Sequence, residues 1–211
     1  MKRRTLACWL VSAALAFSPL AALSDQPDEP DADADAPRKP IRERFGFNYT
    51  MGYGHGIHMR ERTQGKDVGD VQMLLFMPHV RFELGDWTER DHWYAGRLDL
   101  VVEPELAINF EPTTGVGGGV TGGFRYRLWA DHRWSPYFIG VMGFGTLNFN
   151  LEDQADGFNF WLNAGFGVRR ALSHQRALTA DVRLYHISNK GTSLPNEGID
   201  AIAFTLGFEY R

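Results

Sequence analysis

Residues 97–110 read RLDLVVEPELAINF. Leu98, Leu100, Val102, Leu106, Ile108 and Phe110 alternate with Arg97, Asp99, Glu103, Glu105 and Asn109. In an extended strand residues i and i+2 point the same way, so this stretch has one oily face and one charged face. The same period of two continues on both sides of it. Phe158, Phe160, Leu162, Phe166 and Val168 oppose Asn159, Asn163 and Arg169, while Ile202, Phe204, Leu206, Phe208 and Tyr210 oppose Thr205 and Glu209. From Phe45 onward, runs rich in aromatic and β-branched residues are separated by Gly, Asp, Asn and Pro clusters. Eight can be counted, at about 45–59, 71–84, 93–110, 116–129, 136–149, 157–170, 177–188 and 199–210, which predicts a nearly all-β domain.

Composition narrows the class. The chain has 211 residues, 22 basic and 26 acidic side chains, 44% apolar content and 13% aromatic content. This suits one domain and excludes a wholly disordered chain. No apolar run after residue 25 approaches the roughly 18 residues of a spanning helix. The charge balance gives no invitation to nucleic acid. Cys8 is the single cysteine, so a mature chain that lacks it has no disulfide and no cysteine-based metal site or catalysis.

Lys2, Arg3 and Arg4 precede an apolar stretch from Leu6 to Phe17, then Pro19 and the small residues Ala22 and Ser24 around Leu23. This order of basic flank, short apolar core and small-residue site predicts a secretory signal peptide over residues 1–24. Cys8 lies too early for lipoprotein acylation. Loss of the three basic residues leaves 19 positive against 26 negative charges, a net of −7. Residues 25–44, DQPDEPDADADAPRKPIRER, hold six early acids and four prolines, and the expectation is a disordered, solvated leader before a barrel domain over 45–211. Its basic end, Arg38-Lys39 with Arg42 and Arg44, reads either as a contact for anionic headgroups or as an ordinary solvated run.

Alternation alone fits a soluble sandwich as well as a barrel with its oily face outward. Context favours an eight-stranded antiparallel up-and-down transmembrane β-barrel. The opposite face is heavily charged, and eight strands enclose a lumen that side chains can fill with paired Arg and Glu. Runs of ten or more residues match a tilted membrane strand. Trp87, Trp93, Trp129 and Trp134 fall near strand ends, where aromatic belts lie. The string from Gly115 to Gly119 superficially matches a phosphate-cradling loop, but no helix pattern follows it and Thr121-Gly122-Gly123-Phe124 continues as strand.

Chemistry has few places to sit. His55 and His58 are three apart and on a strand point to opposite faces, so they make a poor metal pair, and no metal or other cofactor is expected. His79, His92, His132 and His174 lack acidic or histidine neighbours at useful spacing and read as lumen, rim or loop residues. The informative segment is YHISNKGTSLPNEGID over 185–200. His186 and Ser188 share the oily face with Val182 and Leu184, and Asp200 shares the face of Ile202, Phe204 and Leu206, so a hairpin returns Asp200 toward His186. Basic groups in hydrocarbon cost roughly 2–4 kcal/mol at mid-depth and little at the interface, which places these residues near the rim. Nucleophile, base and orienting acid are the minimum for acyl transfer. From spacing alone, a capped hairpin end, with Ser188 and Asn189 serving the turn, is an equal reading.

The pattern His186-x-Ser188-Asn189-x-Gly191, followed by Pro195-Asn196-x-Gly198-Ile199 and an acid at Asp200, resembles the signature of the lipid A 3-O-deacylase family, PagL, whose members are eight-stranded outer-membrane barrels. The likeness spans about 45–211 in length and strand number, with specific matches in 185–200. It implies catalytic roles for His186, Ser188 and Asp200, and an oxyanion hole from Asn189 and Gly191. The family's acid is usually glutamate, which makes Glu197 the alternative acidic partner. It also implies hydrolysis of the ester-linked 3-hydroxyacyl chain at the 3-position of lipid A, with lipopolysaccharide as substrate and the Gram-negative outer membrane as location. With both termini periplasmic, the 185–200 hairpin lies at the external side.

Two rivals remain at this point: a non-enzymatic outer-membrane barrel with a structural or binding role, and a soluble periplasmic lipid carrier. The chain ends Phe208-Glu209-Tyr210-Arg211, one residue past the aromatic on which such barrels commonly finish. Acyl-chain preference, latency of activity and oligomeric state, a homodimer included, are left open by the sequence.

Overall fold

A computed structural model describes residues 41–57, 67–86 and 92–211. The expected signal peptide, most of the expected leader, His58 and Trp87 lie outside the described residues. Ile41–Arg44 form one 3-10 turn. Arg44 donates through Nε to the Glu83 carbonyl at 2.7 Å and through Nη2 to the Leu84 carbonyl at 2.8 Å, with its guanidinium 4.5 Å above the Phe82 ring.

The strands are β1 (Phe45–Gly56), β2 (Gln72–Phe76), β3 (His79–Asp86), β4 (Gly96–Glu111), β5 (Gly115–Leu128), β6 (Trp134–Asn148), β7 (Gly157–Ala171), β8 (Arg176–Ser188) and β9 (Ile199–Tyr210). Each pairs antiparallel with its neighbours, and β9 pairs back onto β1 from Phe47 opposite Tyr210 to Gly56 opposite Ala201. The sheet therefore closes. Hydrocarbon offers backbone groups no hydrogen bonds, and closure supplies them all from within.

The nine segments make eight barrel strands, because β2 and β3 are two pieces of one. Against β1, Met51 faces Phe76 and Asn48 faces His79; against β4, Leu106 faces Phe76 and Val102 faces Val80. The register is thus unbroken across Met77-Pro78. Pro78 has no N–H to give the ladder, which divides the expected 71–84 run. Met77 still donates to the Thr50 carbonyl at 2.8 Å. The third run starts at Gly96 rather than 93, because Ala95 closes a turn onto the His92 carbonyl at 2.9 Å. The glycine string belongs to β5 as expected, and a Cβ on Gly123 would fall 2.1 Å from the Gly140 carbonyl oxygen, so the β5–β6 contact admits no side chain there.

The two faces separate as the alternation predicts. Leu100, Val102, Leu106, Ile108 and Phe110 are exposed on the outer wall, and Asp99, Glu103, Glu105 and Asn109 are buried in the lumen. The lumen is divided along its length. Toward the end holding the C-terminus it is an ion-pair network: Glu209 meets Arg81 and Arg125 at 3.1 Å and Arg169 at 2.8 Å, and Asp99 meets Arg125 at 3.0 Å and Arg127 at 2.7 Å. Farther along, Arg183 meets Glu103 at 2.6 Å and Asp181 at 2.8 Å. His79, which has no acidic neighbour in sequence, finds Glu103 across the lumen at 3.1 Å. Toward the opposite end the lumen is apolar, filled by Met73, Leu75, Leu147, Phe149, Trp161, Ile187 and Ile199. Trp93, Trp129 and Trp134 are exposed at the end of the barrel that carries the C-terminus, as expected of a belt.

Glu209 is the shared counter-ion of three arginines, and removing one member of a buried charge cluster leaves the others uncompensated. Glu209→Ala is expected to destabilise the barrel by about 3–5 kcal/mol. Urea titration followed by the heat-modifiable shift on gels measures this, and an unchanged midpoint would contradict it.

Candidate active site

β8 ends at Ser188, β9 begins at Ile199, and the intervening loop lies at the end of the barrel away from the C-terminus. His186 stands directly opposite Asp200 in the β8–β9 ladder, and Ser188 follows His186 by two on the same face. Cross-strand partners hold their Cβ atoms about 4.5–5.5 Å apart, close enough for one imidazole to bridge a neighbour across the ladder and another along its own strand. His186 Nδ1 lies 2.7 Å from Asp200 Oδ1, and His186 Nε2 lies 3.1 Å from Ser188 Oγ. With Asp200 ionised, Nδ1 carries the proton donated to the carboxylate, and Nε2 accepts from the Ser188 hydroxyl.

All three side chains are on the outer wall. The His186 side chain is 41% exposed and that of Asp200 8%, so the ring faces outward while the carboxylate is sheltered. Phe160 is the ladder partner of Ser188, and Phe144 and Phe158 continue an aromatic surface beside it. The ammonium of Lys190 stands 4.8 Å above the Phe160 ring. A hydroxyl, an imidazole and a carboxylate linked in this way can support acyl transfer, and here they open sideways beside an apolar surface.

The loop that joins the strands satisfies its polar groups with its own side chains, as a segment without a ladder must. Buried Asn189 donates from its N–H to Asn196 Oδ1 at 3.0 Å and from Nδ2 to the Ser193 carbonyl at 2.9 Å, and its Oδ1 accepts the Gly191 N–H at 2.8 Å. Asn189 and Gly191 are thus brought together, with their donors engaged inside the loop. The carboxylate bonded to His186 is Asp200; Glu197 is exposed and gives its N–H to the Asp153 carbonyl at 3.0 Å.

Gly198 escaped the reading of the sequence as anything but part of a signature. Its φ is +73°, and a Cβ there would lie 3.2 Å from His186 Cε1 and 3.5 Å from Ser188 Cβ. Gly198 therefore faces both His186 and Ser188, with little room for a side chain. Gln154 lies in a stretch that reads only as a connection, and its Oε1 accepts the Gly198 N–H at 2.8 Å.

The sequence pattern of the lipid A 3-O-deacylase (PagL) family matches residues 76–209. The chain belongs to that family. The match runs from the end of β2 through nearly all of β9 and so includes every residue of the candidate site. Among solved structures, the chain is similar to the outer-membrane enzyme PagL, with 18% identity, a TM-score of 0.54, and coverage of 78% of this chain and 99% of that one. It is also similar to Neisserial surface protein A, with 15% identity, a TM-score of 0.50, and coverage of 79% and 96%. At these identities the structures speak for the fold, an outer-membrane type of closed barrel. Among curated proteins none matches the sequence. PagL membership makes this chain one of a family of lipid A deacylases.

Gly198→Ala tests the seat of the histidine. A left-handed residue gains a Cβ aimed at the imidazole, so the barrel is expected to fold while release of 3-hydroxy fatty acid falls roughly 10- to 100-fold. Gas chromatography of released acid checks it; undiminished release would show that the contact carries no weight.

Proposed function

We propose that this chain removes the ester-linked 3-hydroxyacyl group from the 3-position of lipid A through Ser188, His186 and Asp200. The observation that carries the reading is the single imidazole placed between a hydroxyl and a carboxylate on the outer wall of a barrel. Ser188 Oγ attacks the ester carbonyl as His186 Nε2 takes its proton. Asp200 holds the tautomer and stabilises the imidazolium. Collapse of the tetrahedral intermediate passes that proton to the departing sugar oxygen and leaves an acyl-serine. Water, deprotonated by His186, then attacks the acyl-serine and releases the 3-hydroxy acid with Ser188 restored.

Asn189 and Gly191 remain the proposed oxyanion donors. Because the Gly191 N–H and the Asn189 amide are bonded within the loop, that role requires the loop to exchange these bonds for the substrate oxygen as it binds. Exported by a signal peptide over 1–24 and followed by a leader through 44, the barrel resides in the outer membrane with its termini toward the periplasm. The β8–β9 loop then faces the external leaflet, where lipid A is found, and a site on the wall admits a lipid laterally without opening the packed lumen.

Ser188→Ala is expected to keep a folded, heat-modifiable barrel while the lipid A mass spectrum of expressing cells shows no species lacking one 3-hydroxyacyl chain. Persistence of that species would remove Ser188 from the reaction and leave a non-enzymatic barrel as the better reading. The acid is assigned by a pair of variants. Asp200→Asn should lower turnover on the order of 10⁴-fold by favouring the wrong tautomer, and Glu197→Gln should leave it unchanged. The reverse outcome would transfer the role to Glu197.

A further inference from the structure

The catalytic imidazole has an unusual exposure for a group that must hold two hydrogen bonds at once. Its outer side is open, with 41% of the side chain exposed, and protein restrains it from the ladder and from the loop above. Asp200 holds Nδ1. The Cε1 edge, the carbon between the two working nitrogens, faces Gly198, where an added Cβ would lie 3.2 Å from it. A turn of the ring about its own axis that carried Cε1 toward Gly198 would break both the Ser188 and the Asp200 bonds.

What holds Gly198 in place comes from another hairpin. Gln154, in the β6–β7 connection, is 1% exposed, and its Oε1 accepts the Gly198 N–H at 2.8 Å. Its Nε2 donates to Asn159 Oδ1 at 2.9 Å, anchoring it to the start of β7, where Asn159 is fully buried. The Gln154 backbone forms an isolated bridge with Asn196. On either side, the Ala155 N–H donates to the Pro195 carbonyl at 2.7 Å and the Glu197 N–H to the Asp153 carbonyl at 3.0 Å. The two loops are therefore stitched along residues 153–155 and 195–198, with one side-chain oxygen at the point nearest the histidine.

We propose that Gln154 is a positioning residue for the deacylase reaction: through the Gly198 N–H it clamps the backbone that keeps the His186 ring aligned between Ser188 and Asp200. This rests on the Ser-His-Asp reading above. Gln154 touches no reacting atom. Its action is to keep the buried Gly198 N–H paired, since an unpaired donor there would pull the loop toward any other acceptor. A misplacement of a catalytic group by about 1 Å costs on the order of 10² in rate.

The test compares the full-length parent with Gln154→Leu, which fills the space and removes the acceptor, and Gln154→Glu, which keeps the acceptor but not the donor to Asn159. Each barrel is refolded in detergent and its folding verified by heat-modifiability. The readouts are the rate of Ser188 labelling by an alkyl fluorophosphonate and the steady-state constants on purified lipid A. The expected result is parental folding, a fall of about 10² in labelling rate and kcat for Gln154→Leu with KM unchanged, and recovery of most of that loss in Gln154→Glu. Parental labelling and kcat in Gln154→Leu, a loss confined to KM, or a Gln154→Glu as slow as Gln154→Leu would overturn the clamp. Should Gln154→Leu fail to fold, Asn159→Ala loosens the same side chain from behind. Reduced kcat at unchanged KM then supports the clamp, and parental kcat overturns it. A folded parent that is itself neither labelled nor active would refute the serine mechanism, and the clamp with it, whereas labelling of the parent alone separates the two questions.

Discussion

Hydrocarbon accepts no hydrogen bonds, and nearly every feature of this chain follows from that. A sheet exposed to it must close, so β9 returns to β1. Side chains must then divide by parity, one set facing lipid and the other crowding a lumen only wide enough for side chains. Charges placed in that lumen have to neutralise one another, and Glu209 with its three arginines and Arg183 with its two carboxylates do so. Prolines lack the N–H the ladder requires: Pro104 and Pro136 sit within β4 and β6, whereas Pro78 divides a strand. The strand tolerates it because the register on both sides continues and Met77 keeps its bond to Thr50.

Against this background a histidine, a serine and an aspartate on the lipid face are out of place, and their position resolves the conflict. They occupy the last turn of the ladder before a polar loop, where the cost of polar groups falls away. Two of the three polar side chains also satisfy each other through the third, so few of their hydrogen-bonding atoms need water. The ladder itself sets the spacing: the opposed pair His186 and Asp200 is a register fact, and the Ser188 contact follows from period two. Barrel geometry here does what a packed core does in a soluble hydrolase, placing three groups from two segments with little freedom.

What was legible in the sequence was whatever period two controls. The faces of Leu98–Phe110, of Phe158–Val168 and of Ile202–Tyr210, the outward direction of His186, Ser188 and Asp200, and the closeness of the last to the first all follow from parity and one hairpin. The break at Pro78 was less visible, because apolar residues on either side mask a single missing donor. The loop was legible only in that Asn189 serves the turn; its partners were not. Asn189 and Gly191 are the residues the family likeness assigns to the oxyanion, and in the structure they bond to each other, an outcome set by how ten residues without a ladder pair their backbone groups. Gln154 shows the same limit. Its contact to Gly198 joins two hairpins 44 residues apart in sequence, which no local pattern encodes.

The division of the lumen completes the argument about the site. Behind the wall that carries His186, the inward residues are Tyr185, Ile187, Ile199 and Ala201, packed with Trp161, Phe149 and Leu151. The lumen charge before them on β8, Arg183, is three residues before His186 and bound to Glu103 and Asp181. An apolar plug therefore lies inside the wall, while outside it the imidazole is open beside the polar loop and its aspartate is sheltered. The ion pairs thus stop at Arg183, and one closed sheet holds both a neutralised lumen toward the C-terminus and an apolar plug behind the wall that carries His186.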